Sequence, residues 1–125
     1  MLAMVIDDSR AMRSILRRIV GELGFDVVEA ADGQQALDLM GDGQVPQIAL
    51  VDWNMPVLDG LGFVTSVRSR KEWRDVTLMM VTTESEHGQI VRALAAGAHE
   101  YVIKPFTADA IAEKLQLLGF AGAAS

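Results

Sequence analysis

Five short apolar runs alternate with five amphipathic windows from one end of the chain to the other, and this alternation restricts the fold more than any other feature. The runs are Leu2 to Ile6, Asp26 to Glu29, Gln47 to Val51, Thr77 to Val81 and His99 to Ile103. The windows Ser9 to Leu23, Gly33 to Met40, Gly60 to Arg70, Glu86 to Ala96 and Thr107 to Leu118 repeat apolar residues at helical spacing. In the first window Met12, Ile15, Leu16 and Ile19 share a face, while Arg13, Arg17 and Arg18 lie largely elsewhere. Strands that are apolar throughout, rather than on alternate residues, are covered on both sides. The pattern therefore predicts an α/β fold, a doubly wound five-stranded parallel sheet with helices on both faces. Turn residues Gly24, Gly41, Gly43, Pro46, Gly97 and Pro105 fall at the junctions. No linker or repeat divides the chain, so one domain is expected over residues 1–119, with 120–125 as a flexible tail.

A chain of 125 residues buries roughly two-thirds of the surface its unfolded form exposes and needs no staple. It has no cysteine, which removes disulfides, thiolate metal sites and thiol nucleophiles and suits a reducing, cytoplasmic setting. No secretion signal or membrane-length apolar stretch is visible. A net charge of −6 argues against a direct nucleic-acid binder, whose affinity rests on clustered Lys and Arg. Metal ions and basic protein surfaces fit better.

Ligands of an open parallel sheet bind beyond the carboxyl ends of its strands. In this chain those ends carry Asp7 and Asp8 after the first run, Asp52 after the third, Thr82 and Thr83 after the fourth, and Lys104 after the fifth. Each has an ordinary explanation alone. Asp7-Asp8-Ser9 reads as a helix N-cap, Asp52 as an Asx turn, Thr82 as a β-branched strand end, and Lys104 as a solvated charge. Together, mutually repelling acids with one base at a shared edge stabilise a fold poorly and bind a hard cation well. A carboxylate set without Cys or His suits Mg²⁺, or Mn²⁺ in its place. Competing motifs fail. "DWNMPVLDG" has Pro56 and Val57 where a calcium loop needs an oxygen ligand and a glycine, and "GDGQ" and "GLGF" lack the dinucleotide-binding spacing. His87 and His99 read as surface or strand-edge residues, and the seven methionines as core filler.

The segments "VIDDS", "LVDWNMPVLDG", "MMVTTE" and "YVIKPF" resemble the four signature regions of the receiver domain of two-component response regulators, and the likeness covers essentially the whole chain. The "DWNMP" run and the chain length make it most similar to the single-domain chemotaxis members. The resemblance implies the flavodoxin-like strand order 2-1-3-4-5 and a phosphorylation-dependent signalling switch rather than an enzyme. Asp52 would accept a phosphoryl group from a sensor histidine kinase, or from small donors, and later lose it by self-dephosphorylation. Asp8 and Asp52 would hold Mg²⁺ by their side chains, Asp7 through water and Asn54 through its backbone carbonyl. Lys104 would neutralise phosphoryl charge, with a cis peptide at Lys104-Pro105, a bond type whose trans preference is only about 0.5–1 kcal/mol. Thr82 and Tyr101 would form the switch, remodelling the face built from the fourth helix, fifth strand and fifth helix. Asn54, Thr83 and Glu84 would control dephosphorylation. A monomer is expected, with a downstream protein target such as a flagellar motor switch component, and neither nucleic acid nor membrane as a partner. Two alternatives stand beside this one: a receiver taken from a longer regulator, and an α/β phosphatase forming an aspartyl-phosphate. The phosphatases place a second acid two residues after the nucleophile, where this chain has Asn54.

Overall fold

In chain order the elements are β1 Leu2–Ile6, α1 Arg10–Glu22, β2 Asp26–Ala30, α2 Gly33–Gly41, β3 Ile48–Asp52, α3 Gly60–Arg68, a single 3₁₀ turn Lys71–Trp73, β4 Thr77–Thr83, α4 His87–Ala96, β5 Glu100–Lys104 and α5 Ala108–Leu117. They come from a computed structural model that describes residues 1–83 and 87–120. All four strand pairings are parallel, in the order β2-β1-β3-β4-β5. No helix among the described residues is long and apolar enough to cross a membrane.

The apolar runs are strands because both of their faces are covered. Along β1, Met4 and Ile6 join Ala49 and Val51 under α2, α3 and α4, with Phe63, Val64 and Ala93. Ala3 and Val5 point the other way, with Ile48 and Leu50, against Leu16 and Val20 of α1 and Ile111 and Leu115 of α5. Each large side chain buried here contributes roughly 1.5–3 kcal/mol. Four helices start where polar residues cap them: Ser9, Asp32, Asp59 and Thr107 accept backbone N–H bonds from Met12, Gln35, Gly62 and Ala110.

Several boundaries differ from the sequence expectation, and the differences bear on the site. Asp52 is the last residue of β3 rather than the loop after it, because it stays in register opposite Val81. Thr82 and Thr83 likewise end β4, paired with Ile103 and Lys104. β5 begins at Glu100, one residue later than expected, and β2 extends to Ala30. The 3₁₀ turn was not anticipated; it buries Trp73 with the Arg70 guanidinium 4.6 Å from the ring centroid. At the other end Phe120 packs on Phe25, ring centroids 5.7 Å apart, so the packed chain reaches residue 120.

Gly60 brings α3 hard against the end of β3. Its N–H donates to the Trp53 carbonyl at 2.9 Å, and an added Cβ would lie 2.5 Å from the Asp52 carbonyl oxygen and 3.0 Å from Trp53 Cα. Backbone on that side cannot give way cheaply. Gly60→Ala is expected to lower stability by about 1–3 kcal/mol, read as a fall in the urea midpoint; an unchanged midpoint would mean that α3 is free to move off the strand.

Candidate functional site

The residues selected at the strand ends do converge. Asp7 is the first residue beyond β1 and is held from three directions. Its N–H donates to Ala30 O at 3.1 Å, its Oδ1 accepts from Ser9 N at 2.8 Å, and its carbonyl accepts from Arg13 Nη1 at 2.7 Å. Ser9 is the cap of α1, so the capping role in Asp7-Asp8-Ser9 belongs to Ser9 and both acids are left at the sheet edge. Asp7 is buried, Asp8 exposed, and Asp52 only 8 % exposed. Carboxylate oxygens of Asp7, Asp8 and Asp52 all lie within 4.8 Å of one another. From the end of β5, Lys104 Nζ reaches 3.2 Å from Asp52 Oδ1 and 3.4 Å from Asp7 Oδ2. Thr82 is buried at the end of the neighbouring β4. The Lys104-Pro105 peptide is cis.

The electrostatics are unbalanced. Burial, then repulsion from Asp7 and more weakly from Asp8, pushes Asp52 up to about 6, against the attraction and hydrogen bond of Lys104. Burial alone would lower Lys104, but Asp52 and Asp7 outweigh it and raise the ammonium above its ordinary value, so it stays charged. Among the described residues three carboxylates face one ammonium, and this deficit of positive charge adds to burial, the larger cause, in holding Asp52 up. An oxygen-only donor set this close together fits a hard divalent cation such as Mg²⁺ or Mn²⁺.

Around this centre Asn54 is exposed, two residues past Asp52, and Thr83 is half-buried. Tyr101 is half-buried on β5 and packs against the core under α4. Glu84 lies outside the described residues. Sequence reasoning missed Arg13, which was grouped with the charges off the apolar face of α1. Its side chain is only 17 % exposed, and besides gripping the Asp7 carbonyl it sits 3.4 Å from Glu29 Oε1. The one available signal was its place a single turn into the helix that starts beside Asp7. A groove of about 550 Å³ between α2 and the 3₁₀ turn, lined by Asp38, Asp42, Arg70 and Trp73, is remote from these groups in sequence and topology.

A family model described as the response regulator receiver domain matches residues 3–116. The chain belongs to that family. This receiver is 40 % identical over 117 residues to a chemotaxis protein CheY homolog of Campylobacter jejuni, covering 93 % of this chain and 90 % of that one. To chemotaxis protein CheY1 of Helicobacter pylori it is 36 % identical over 119 residues, covering 94 % and 96 %. Among solved structures the receiver is similar to chemotaxis protein CheY4 of Vibrio cholerae, with a TM-score of 0.85 and 29 % identity over 93 % of this chain and 96 % of that one. It is also similar to the receiver domain of a sensor histidine kinase from Pseudomonas aeruginosa, whose structure has a magnesium ion coordinated in the active-site cleft; the TM-score is 0.83 and the identity 27 %, over 93 % and 94 %. The parallel sheet order 2-1-3-4-5 is the one expected for a receiver.

Proposed function

We propose that this receiver takes a phosphoryl group onto Asp52 from a phosphohistidine of a sensor kinase and so changes the surface formed by α4, β5 and α5, to which a downstream protein binds. The observation that carries this reading is the contact of Asp52 Oδ1 with Lys104 Nζ at 3.2 Å inside the cluster of Asp7, Asp8 and Asp52. The carboxylate oxygen of Asp52 attacks phosphorus; the O–P bond forms as the P–N bond breaks, and the histidine leaves with its electron pair. Phosphoryl transfer asks chiefly for alignment and for neutralised charge. Lys104 meets part of the second need, standing beside the acceptor oxygen. Asp8 and Asp52 would hold Mg²⁺, or Mn²⁺, by their side chains, with Asp7 assisting through water and Asn54 through its backbone carbonyl. When bound, the ion supplies further positive charge to the phosphoryl oxygens. Support for a metal comes from the charge deficit of the cleft and from the magnesium site of the Pseudomonas receiver.

Thr82, buried at the end of β4, is proposed to donate its hydroxyl to the new phosphoryl group, and Tyr101 to rotate in response. Asn54, Thr83 and Glu84 are proposed to govern access of the water that hydrolyses the acyl phosphate, and so the lifetime of the signal. The chemotaxis relatives support a role in chemotaxis, and the downstream protein is proposed to be of the flagellar-switch kind.

With Mg²⁺ and acetyl phosphate the intact mass is expected to rise by one phosphoryl group, and EDTA to prevent the rise. Thr82→Ala should still take up phosphate yet lose most of the phosphorylation-dependent change in the α4-β5-α5 surface, followed as amide shifts of α4 and β5. A protein that gains no mass under these conditions refutes the phosphoacceptor reading; a Thr82→Ala protein with the full surface change removes the hydroxyl from the switch.

A further inference from the structure

Resting on the switch role proposed for Tyr101, we propose that Glu100 and Lys114 form a latch that holds the Tyr101 ring in its resting position. The Lys114 ammonium, reaching across from α5, lies 5.3 Å from the centroid of the Tyr101 ring. The same ammonium is 3.2 Å from Glu100 Oε1, and that oxygen also accepts the backbone N–H of Tyr101 at 2.9 Å. One carboxylate oxygen therefore ties together the edge strand at Tyr101 and the cation over its ring. Neither partner is a freely solvated surface charge: the side chains of Lys114 and Glu100 are 32 % and 23 % exposed. Tyr101 and Lys114 also line a groove of about 360 Å³ between β5 and α5, with Ile103, Phe106 and Ala110.

These contacts give the latch two consequences. For the ring to leave its place it must forfeit the cation–π contact, which biases the unphosphorylated protein toward the observed arrangement. Lys114 keeps its tie to Glu100 when the ring goes, so a groove wall changes shape as the ring moves. The latch thereby couples the ring to the surface offered to a target, without touching the phosphoryl chemistry at the other end of β5.

Tyr101 is the only tyrosine in the chain, so 3-fluorotyrosine places one ¹⁹F reporter on the ring. Spectra are recorded for wild type, Lys114→Met, Glu100→Gln and Lys114→Arg, each with and without Mg²⁺ and acetyl phosphate, and the solvent-isotope shift of the fluorine reads ring exposure. Phosphorylation is expected to move the wild-type reporter between two exposures. In unphosphorylated Lys114→Met the ratio of displaced to resting ring should rise roughly two- to fivefold, the worth of one exposed cation–π contact. Glu100→Gln should give a smaller rise, and Lys114→Arg, which keeps both the cation and the ion pair, should restore the wild-type ratio. Phosphoryl uptake by mass should be unchanged in all four. If the wild-type ring responds to phosphorylation but Lys114→Met and Glu100→Gln report wild-type exposure in both states, the latch is wrong and the switch role stands. If the wild-type ring does not respond although the mass rises, the switch role fails and the latch fails with it.

Discussion

Asp52→Asn is expected to abolish phosphoryl uptake from acetyl phosphate and, in the absence of metal, to make the protein more stable at pH 7 than the wild type. The first effect follows from removing the nucleophilic oxygen: an amide offers no anionic atom to attack phosphorus. The second follows from burial of the carboxylate, with the repulsion of Asp7 and Asp8 added to it. In the folded protein Asp52 titrates at about 6 rather than 3.8, so the folded state holds this proton more tightly than the unfolded chain does. The stabilisation from a neutral Asp52 is then fully present below about pH 4. It drains away as the pH rises toward 6 and is gone above it. Asn preserves the shape and stays neutral at every pH, and Lys104 keeps its contact with Asp7. The variant should gain about 1–3 kcal/mol over wild type at pH 7, and the difference should shrink toward zero at pH 4. Urea unfolding in EDTA at the two pH values measures this, and intact mass measures the first effect. Full phosphoryl uptake in the variant would move the acceptor elsewhere. A wild type more stable than the variant at pH 7 would mean that the Lys104 ion pair outweighs burial and the repulsion from Asp7.

Removing Asp8 should separate metal binding from folding. Asp8 is the exposed member of the three acids, so Asp8→Ala creates no cavity in the core. It deletes one charged oxygen donor from a site that has few, and Mg²⁺ affinity should fall by at least roughly tenfold. Trp53 follows Asp52 directly and is buried, which makes its fluorescence the natural reporter once Trp73→Phe has removed the second indole. Without metal the same variant should be no less stable than its parent, because Asp8 is one of the charges that push Asp52 up. With Mg²⁺ at ten times the parent's Kd, the parent should gain about 1.4 kcal/mol and the variant at most about 0.4 kcal/mol. Equal Mg²⁺ affinity in the two proteins would place the ion away from Asp8.

What could be read from the sequence was whatever repeats locally or follows from topology. The unbroken apolar runs are strands because a parallel sheet is covered on both faces, and Ser9 and Thr107 start helices because a short hydroxyl side chain satisfies an N–H that has no partner within the helix. The assembly of Asp7, Asp52 and Lys104 was legible too, since parallel strands present all their carboxyl ends at one edge, and Lys104 meets Asp7 across 97 residues of chain for that reason. The sheet order itself came from the likeness of four motifs, since periodicity does not say which strand lies beside which. What the tertiary structure decided were the contacts that depend on side-chain direction across elements. Asp52 reads as the residue just past the third apolar run until its pairing with Val81 draws it into the ladder, and burial is the main cause of its raised pKa. Arg13 reads as a solvated charge until α1 lies against the end of β1 and turns its guanidinium onto the Asp7 carbonyl. Glu100 and Lys114 are unremarkable charges in the sequence; only the docking of α5 beside the edge strand puts one ammonium over the Tyr101 ring and against the Glu100 carboxylate. A helical or strand period says which face of its own element a residue occupies, while the partner on the opposing element is set by how the two pack, which no local pattern encodes.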